Sequence, residues 1–335
     1  MAIPTPDQFA GSLIGQALGD ALGFVVEGYP TADCRRYVDD VLRSGKAGSL
    51  GRGPFPFGQY TDDTQLAREL ASSYADRGRF EPADFARRIA AIFTEGRIVG
   101  RGRATEAAAT RLHQGVRWDE AGTPPPNAGN GSAMRAGPAG WMVADDDRAL
   151  VRTAVDQGRI THADPRSSAG AVAIAGAVAM ALRGEVRPDH VIPRLVNLAA
   201  PVEPSVAREI GNLEGWLKLA PEDAGPLIAR AGLDPDQGDP WDGISPFVTS
   251  SVCWSLYSFL CSPEDYWQTI CTAIAVGGDV DTTAAMAGAV SGAYLGLDAL
   301  PADLAHQVND QGSWGYDELA DLARRCHLVA YPAPD

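Results

Sequence analysis

The sequence is short of positive charge. Among its 335 residues, 28 Lys and Arg stand against 43 Asp and Glu, which gives a formal net charge of -15 and a pI near 4.7. Nucleic-acid backbones and anionic membrane surfaces are bound through clustered Lys and Arg, which offset the phosphate charge. The balance therefore argues against a nucleic-acid-binding surface and against a membrane as partner.

Signals for disulfides, export and membrane insertion are also missing. The five cysteines are scattered, odd in number and without a CxxC pair, a pattern typical of reduced thiols in a cytosolic core. The opening residues MAIPTPDQFAGS lack the basic and apolar regions of a secretory signal, and the apolar run AGAVAIAGAVAMAL is too short to span a membrane. The sequence predicts a soluble protein of the cytoplasm.

Strand patterns are scarce, and helical periodicity takes their place. Apolar residues recur at three- and four-residue spacing between Gly and Pro punctuation. The predicted helices are Pro6–Leu22, Asp63–Asp76, Pro82–Glu95, Arg103–Gly115, Asp146–Asp156, Pro165–Arg183, Asp189–Ala199, Ser205–Leu219, Ser245–Leu260, Pro263–Val276, Val280–Gly296, Ala302–Asn309 and Tyr316–Val329. The loops predicted between them, at 45–58, 122–131 and 233–246, do not resemble domain linkers. We predict an all-α protein in which residues 1–335 form one domain.

Two acidic motifs stand out. Residues 277–283 (GGDVDTT) and residues 61–64 (TDDT) each combine two carboxylates with two hydroxyls. Such oxygens are the ligands that Mg²⁺ and Mn²⁺ prefer, and neighbouring carboxylates repel unless they are solvated or bridged by a cation. Each motif alone also suits the start of a helix, where Asp and Thr act as N-caps. Together they supply enough acids for a two-cation site with a bridging carboxylate.

The first helix is rich in glycine and leads to an acidic loop. Glycine recurs every four residues from Gly11 to Gly23, at a cost of about 1 kcal/mol for each interior position, so we expect a neighbouring helix at very short range. Asp20 lies beside that glycine face and is predicted to be a buried, hydrogen-bonded acid rather than a metal ligand. Glu27 follows the helix; it either handles protons at a site or is simply solvated.

Three further positions are candidates for binding a ligand. Residues 129–135 (GNGSAMR) offer backbone amides, a hydroxyl and Arg135 to a phosphate, although Gly-Asn-Gly is also an ordinary turn. Gly278 lets the backbone approach a ligand closely. His162 lies just before a helix whose predicted N-cap is Asp164; it either bonds a ligand or packs, and it lacks the neighbours of a zinc site.

Five segments, in this order over residues 11–296, resemble the ADP-ribosylglycohydrolase family, which includes dinitrogenase reductase-activating glycohydrolase and the ADP-ribosylhydrolases. Their sequences are GQALGDALGFVVEG, YTDDTQ, GNGSAMRAGP, THADPRSSAG and GGDVDTTAAMAGAVSGAYLG. The resemblance implies an all-α orthogonal bundle with two divalent cations, Mg²⁺ or Mn²⁺, at the bottom of a cleft. It implies the ligands Thr61, Asp62, Asp63 and Asp281 for one cation, and Asp279, Asp281 and Thr282 for the other. It also implies substrate contacts from Gly131, Ser132, Met134 and His162.

The activity implied by the resemblance is hydrolysis of the N- or O-glycosidic bond that joins ADP-ribose to a protein side chain, arginine or serine, or to a small acceptor. Such a bond breaks through an oxocarbenium-like state in which a carboxylate handles protons, here Glu27 or Asp62. The implied partner is an ADP-ribosylated protein or a small ADP-ribose conjugate.

The sequence departs from the family pattern at two places. Val280 stands between two acids where the family usually has Thr or another small polar residue. Residues 97–105 (RIVGRGRAT) contain no carboxylate, whereas the arginine-specific branch usually carries Asp nearby. The Gly-x-Gly character of this loop is closer to hydrolases of serine and O-linked ADP-ribose, so the acceptor linkage stays open.

Two other functions compete with this hypothesis. One is a non-catalytic member that binds ADP-ribose or serves structurally, as crystallin-type relatives do, but such a protein has no reason to keep two adjacent acids. The other is a two-metal hydrolase of a different glycosyl or nucleoside substrate.

Overall fold

Helices build the scaffold of the protein in a computed structural model that describes residues 3–234 and 240–332. They are α1 Pro6–Phe24, α2 Thr31–Tyr37, α3 Asp62–Arg77, α4 Pro82–Thr94, α5 Arg103–His113, α6 Gly137–Met142, α7 Asp147–Arg159, α8 Pro165–Leu182, α9 Pro188–Ala199, α10 Pro204–Gly211, α11 Leu213–Trp216, α12 Pro221–Ile228, α13 Val248–Cys261, α14 Tyr266–Ala275, α15 Val280–Leu295, α16 Ala302–Ala305 and α17 Tyr316–Ala330. Across these described residues, β pairing is limited to isolated bridges. The predicted all-α fold is confirmed.

Most helices begin within one residue of the predicted start, because capping residues and first-turn prolines can be recognised in the sequence. Thr61 caps α3 and Asp164 caps α8, each accepting a backbone N–H, and Pro165 follows in the first turn. The continuous helix predicted over Ser205–Leu219 is wrong. It divides into α10 and α11 where Gly211 and Asn212, both poor helix formers, meet.

Three helices were not predicted: α2, α6 and α12. They have seven, six and eight residues, too few to show a 3.6-residue period clearly. Helices α13 and α14 each begin three residues later than predicted, and Asp265 caps α14. Of the loop predicted at 233–246, residues 235–239 lie outside the described part of the chain.

Helices α1 and α15 touch backbone to backbone along a seam of small residues. A Cβ added to Gly11 would lie 2.5 Å from the carbonyl oxygen of Gly292, and one added to Gly15 would lie 2.7 Å from that of Gly288. At the other end of the seam, a Cβ on Gly23 would lie 2.5 Å from the Cα of Asp281. The short-range neighbour expected for the glycine-rich helix is therefore α15, and only glycine permits this approach.

The apolar helix α8 is part of the core. By length and composition it could cross a membrane, but 89% of its 18 residues are buried inside the protein, as in a core helix. It contacts α6, α7, α9, α13 and α15.

Candidate active site

The two acidic motifs, more than 200 residues apart in sequence, meet in one buried cluster. Carboxylate oxygens of Asp20, Asp63 and Asp281 lie within 4.8 Å of one another, and so do those of Glu27, Asp279 and Asp281. Asp281 belongs to both groups. We call the contact of Gly11, Gly15, Gly19 and Gly23 with α15 the glycine seam. It fixes the start of α15 against the C-terminal half of α1, and this brings the second acidic motif to the cluster. We call Asp20, Asp62, Asp63, Asp279 and Asp281 the acid floor; all five are buried.

Asp20 organises the start of α3. One carboxylate oxygen accepts from the backbone N–H and hydroxyl of Thr61, at 3.0 Å each; the other accepts from the N–H and hydroxyl of Thr64, at 3.1 and 2.7 Å. The prediction of a buried, hydrogen-bonded acid is confirmed. Because these donors flank Asp62 and Asp63, Asp20 fixes the backbone that carries them.

Burial raises the pKa of every carboxyl group in the floor. The pKa of Asp20 rises to about 7 despite its hydrogen bonds, and that of Asp279 to about 6. Burial, followed by repulsion from neighbouring acids, raises the pKa of Asp62, Asp63 and Asp281 well above the usual range. Desolvation and neighbouring like charges both oppose ionisation of a carboxyl group. The raised pKa values therefore indicate that the positive charge near the cluster is too small to compensate its carboxylates.

The chemistry of the floor suits divalent cations. Oδ1 of Asp63 is buried and has no hydrogen-bond partner, which is costly for a carboxylate oxygen in a protein interior. The surrounding donors are carboxylate and hydroxyl oxygens, the set that Mg²⁺ and Mn²⁺ prefer. Thr61 and Thr282 add hydroxyls beside Asp63 and Asp279, at 2.9 and 3.3 Å.

Asp62 faces the cavity from the start of α3 and is held by the loop at 97–102. Its backbone N–H donates to the carbonyl of Val99 at 2.7 Å, and the Gly102 amide donates to its carboxylate. Gly100 has φ +73°, and a Cβ there would lie 2.7 Å from Oδ1 of Asp62. The Gly-x-Gly pattern is therefore what lets this loop close over the acid.

Above the floor lies a cavity of about 650 Å³. Gly131, Met134 and His162, three of the predicted substrate contacts, are among the residues that line it. His162 is buried, its Nδ1 lies 2.8 Å from the Thr161 hydroxyl, and a Cβ on Gly131 would lie 2.7 Å from its Cε1. Glycine is thus required where the loop packs on the imidazole ring. Burial, with a smaller contribution from Arg135, lowers the pKa of His162 to about 3.

Three candidate groups turn away from this cavity. The Ser132 hydroxyl is buried and donates to the Ser167 carbonyl at 2.8 Å. The Arg135 guanidinium donates to Gln157 and to the carbonyl of Gly131, so the suggestion that it faces a phosphate is wrong. The backbone N–H of Gly278 donates to the carbonyl of Tyr29 at 3.0 Å.

Asn130 was not predicted as a site residue. Its amide nitrogen donates to Asp279 at 2.6 Å and to the Ser251 hydroxyl at 3.0 Å, while its backbone N–H donates to the Pro246 carbonyl. It therefore ties the Gly-Asn-Gly turn to the floor. The only sequence signal was its position inside that turn.

Glu27 and two arginines also line the cavity. Glu27 is about one-third exposed, and burial raises its pKa while the charge of Arg52, 3.3 Å away, lowers it. Arg101 and Arg103 line the cavity from exposed positions; we call them the arginine rim. Arg103 opens α5, where the helix dipole disfavours a cation, so its charge does not serve helix stability.

The sequence profile of the ADP-ribosylglycohydrolase family matches residues 1–334. The chain belongs to this family. ADP-ribosylhydrolase ARH3 of Bos taurus is 30% identical over 353 residues, covering 96% of this chain and 93% of that protein, and ARH3 of Homo sapiens is 30% identical over 354 residues with the same coverage. ADP-ribosylarginine hydrolase Tri1 of Pseudomonas putida (strain GB-1) is 26% identical and covers 90% of this chain and 74% of that one.

A solved structure agrees with the sequence relatives. An ADP-ribosylglycohydrolase-related protein complex contains a chain that superposes with a TM-score of 0.70 at 27% identity, covering 97% of this chain and 98% of that one. As an ADP-ribosylglycohydrolase, the chain is an enzyme that hydrolyses ADP-ribose conjugates. The hypothesis of a non-catalytic family member does not hold.

Proposed function

We propose that the chain is a metal-dependent hydrolase of the glycosidic bond between ADP-ribose and an acceptor, with its chemistry at the acid floor. The observation that carries the proposal is that Asp281 has a carboxylate oxygen within 4.8 Å of one of Asp63 in the first group and of one of Asp279 in the second, as needed for two cations that share a ligand. Thr61, Asp62, Asp63 and Asp281 would hold one cation, and Asp279, Asp281 and Thr282 the other. When bound, such cations supply positive charge that lowers the pKa of water and orients a sugar hydroxyl.

The protein's own residues have distinct tasks in this proposal. Glu27 holds and transfers the proton at the glycosidic bond, with Asp62 as the alternative carboxylate. Asn130 fixes the carboxylate of Asp279 through its 2.6 Å hydrogen bond. Gly131, Met134 and His162 bind the ADP-ribose portion, with His162 in the neutral state that its burial favours.

The arginine rim affects which acceptor the enzyme prefers. The rim places two guanidinium groups at the cavity, and residues 97–105 contain no acid that could pair with a cationic acceptor. Like charges across an interface disfavour binding, so we propose that an uncharged O-linked acceptor such as serine is preferred over arginine. Arg101 is partly neutralised by Glu106 at 3.1 Å, which leaves Arg103 as the stronger determinant.

Turnover of matched ADP-ribosyl-serine and ADP-ribosyl-arginine peptides, with Mg²⁺ or Mn²⁺ and with EDTA, tests the proposal. We expect release of ADP-ribose that EDTA abolishes and added metal restores, faster from serine. Activity that survives complete removal of metal would refute the metal requirement. Exchanging Arg103→Glu should shift the preference toward the arginine peptide, whereas Arg152→Glu on the surface of α7 should not.

Metal binding can be measured without turnover. A cation that binds only the folded state stabilises it by about 2.7 kcal/mol at 100 times its Kd. We expect Mn²⁺ or Mg²⁺ to raise the melting temperature of the metal-free protein, and Asp281→Asn to lose most of that rise. An unchanged response in Asp281→Asn would contradict a shared ligand.

We further propose that residues 1–335 act as one domain in the cytoplasm. The continuous family match over 1–334 supports the first part, and the scattered cysteines support the second. Limited proteolysis that releases two stable fragments would argue against one domain, and imaging of a tagged chain in its own cells tests the location.

A further inference from the structure

Arg52 lies outside both acidic motifs yet contacts Glu27 directly. Its Nη1 is 3.3 Å from the Glu27 carboxylate, and both side chains are about one-third exposed. The same nitrogen donates to the main-chain carbonyls of Phe24 at 2.7 Å and of Glu27 at 2.9 Å. One guanidinium group thus contacts both the backbone and the side chain of the candidate proton carrier.

The turn that carries Arg52 is firmly held. Arg52 and Phe55 exchange two backbone hydrogen bonds of 3.0 Å each, which closes residues 52–55 into a tight turn. The Phe55 ring packs on Phe24 with centroids 6.0 Å apart, and the guanidinium lies 5.1 Å from the centroid of the Phe24 ring. The position of the guanidinium is therefore fixed from two directions.

Helix α1 ends without a basic residue in its last turn. Its C-terminal carbonyls carry partial negative charge, which a cation stabilises. Arg52 supplies that cation from a different segment of the chain. A purely structural role for Arg52 as a helix cap would thus also account for the two backbone contacts.

A role as helix cap does not explain the contact between Arg52 and the Glu27 carboxylate. The backbone beyond Glu27 is anchored to the residues just before α15, because the Gly28 N–H donates to the Gly278 carbonyl at 2.8 Å. The Glu27 side chain is then the adjustable part, with an oxygen within 4.8 Å of oxygens of Asp279 and Asp281. When ionised and without bound cations, those acids repel the Glu27 carboxylate, and Arg52 attracts it.

We propose that Arg52 is a positioning residue that holds the Glu27 carboxylate in its working place over the acid floor. The inference rests on the proposed function, in which Glu27 handles the proton. Arg52 itself does not touch the reacting atoms in this account. Its effect on the rate passes through Glu27.

A double-mutant cycle tests the proposal with the whole 1–335 chain, loaded with metal, and an ADP-ribosyl-serine peptide. We expect Arg52→Gln to lower kcat about tenfold while KM changes less than about twofold, because positioning acts in the transition state rather than in binding. In a Glu27→Gln background, the same change should alter kcat by less than about twofold. Arg52→Lys keeps the charge but not the planar fork, so its loss should be smaller than that of Arg52→Gln.

The control is Arg43→Gln, which removes an arginine bonded to Asp39 and Gln268 and should leave kcat unchanged. Equal losses from Arg52→Gln in both backgrounds would overturn the proposal and leave only a structural cap, as would no loss at all. If the Glu27→Gln background is too slow to measure, a crystal structure of Arg52→Gln decides, since an unmoved Glu27 carboxylate contradicts positioning. If Glu27→Gln itself is fully active, the proposed role of Glu27 fails first, and that of Arg52 with it.

Discussion

The acid floor and the arginine rim are two regions of one cavity that are built differently. The floor residues are buried; four of them sit at the starts of α3 and α15, and their backbones are fixed by the fifth, Asp20, and by the glycine contacts between α1 and α15. The rim residues are exposed: Arg101 lies on a loop held to α3 through the carbonyl of Val99, and Arg103 opens α5. Buried oxygens preorganise chemistry, whereas exposed charges on a loop select among partners. In the proposed function the floor therefore sets the reaction, and the rim selects the acceptor.

The largest effect should come from removing a floor carboxylate. We expect Asp62→Asn or Asp279→Asn to lower kcat/KM by about 10³-fold or more, because each removes a charged ligand that we propose for the two-cation site. Circular dichroism and melting temperature should show an intact fold. Asp39→Asn, an exposed acid paired with Arg43, is the control. Near-native activity in either floor variant would break the distinction between the two regions.

Substitution of Glu27 should have the next largest effect on the rate. We expect Glu27→Gln to slow kcat about 10²-fold, the usual scale for a lost proton carrier. Calorimetric binding of ADP-ribose should change far less, since the wall residues are intact. Equal losses in rate and affinity would assign Glu27 to binding alone.

The backbone contact beneath the floor can be broken by one methyl group. A Cβ on Gly288 would lie well under 3.0 Å from the carbonyl oxygen of Gly15, so Gly288→Ala should cost about 1–3 kcal/mol of unfolding free energy through overpacking. Gly215→Ala is the matched change, because a Cβ there meets nothing within 4 Å. Urea unfolding of both variants measures the difference, and a neutral Gly288→Ala would show that the seam is looser than described.

The smallest effect should appear in the cavity wall as a dependence on pH. The pKa of His162 in the folded state is about 3, below its ordinary value of 6.5. Between these two pH values the imidazole is protonated in the unfolded chain and neutral in the folded chain. Stability must then fall as pH drops below 6.5, by about 1 kcal/mol between pH 6.5 and 5.5. His162→Gln should lack this component, while Arg135 and Asp164, the charged groups that act on His162, stay in place. Parallel stability curves for the two proteins would show that His162 is protonated when folded.

The sequence allowed the floor to be predicted more fully than the rest of the site. Asp62, Asp63, Asp279 and Asp281 occur as local motifs whose chemistry is visible without a fold. Asn130 does not, because nothing around a Gly-Asn-Gly turn tells that its amide reaches a residue 149 positions away.

The remaining differences between the predicted and the observed site come from the directions in which side chains point. The hydroxyl of Ser132 and the guanidinium of Arg135 lie in the predicted segment but point into the core, a choice that depends on partners from α7 and α8. Likewise, the contact between Arg52 and Glu27 depends on how one loop folds back on α1.

The seam between α1 and α15 has a consequence for synthesis of the protein. During translation the first helix emerges with its glycine stripe bare, and its counterpart follows only after some 260 further residues. A nascent or prematurely terminated chain that stops short of residue 281 lacks Asp281, the proposed shared ligand, and the helix that packs against the part of α1 that carries Asp20. Such fragments should have no residual hydrolase activity, and they should be natural clients for chaperones that shield uncovered helices.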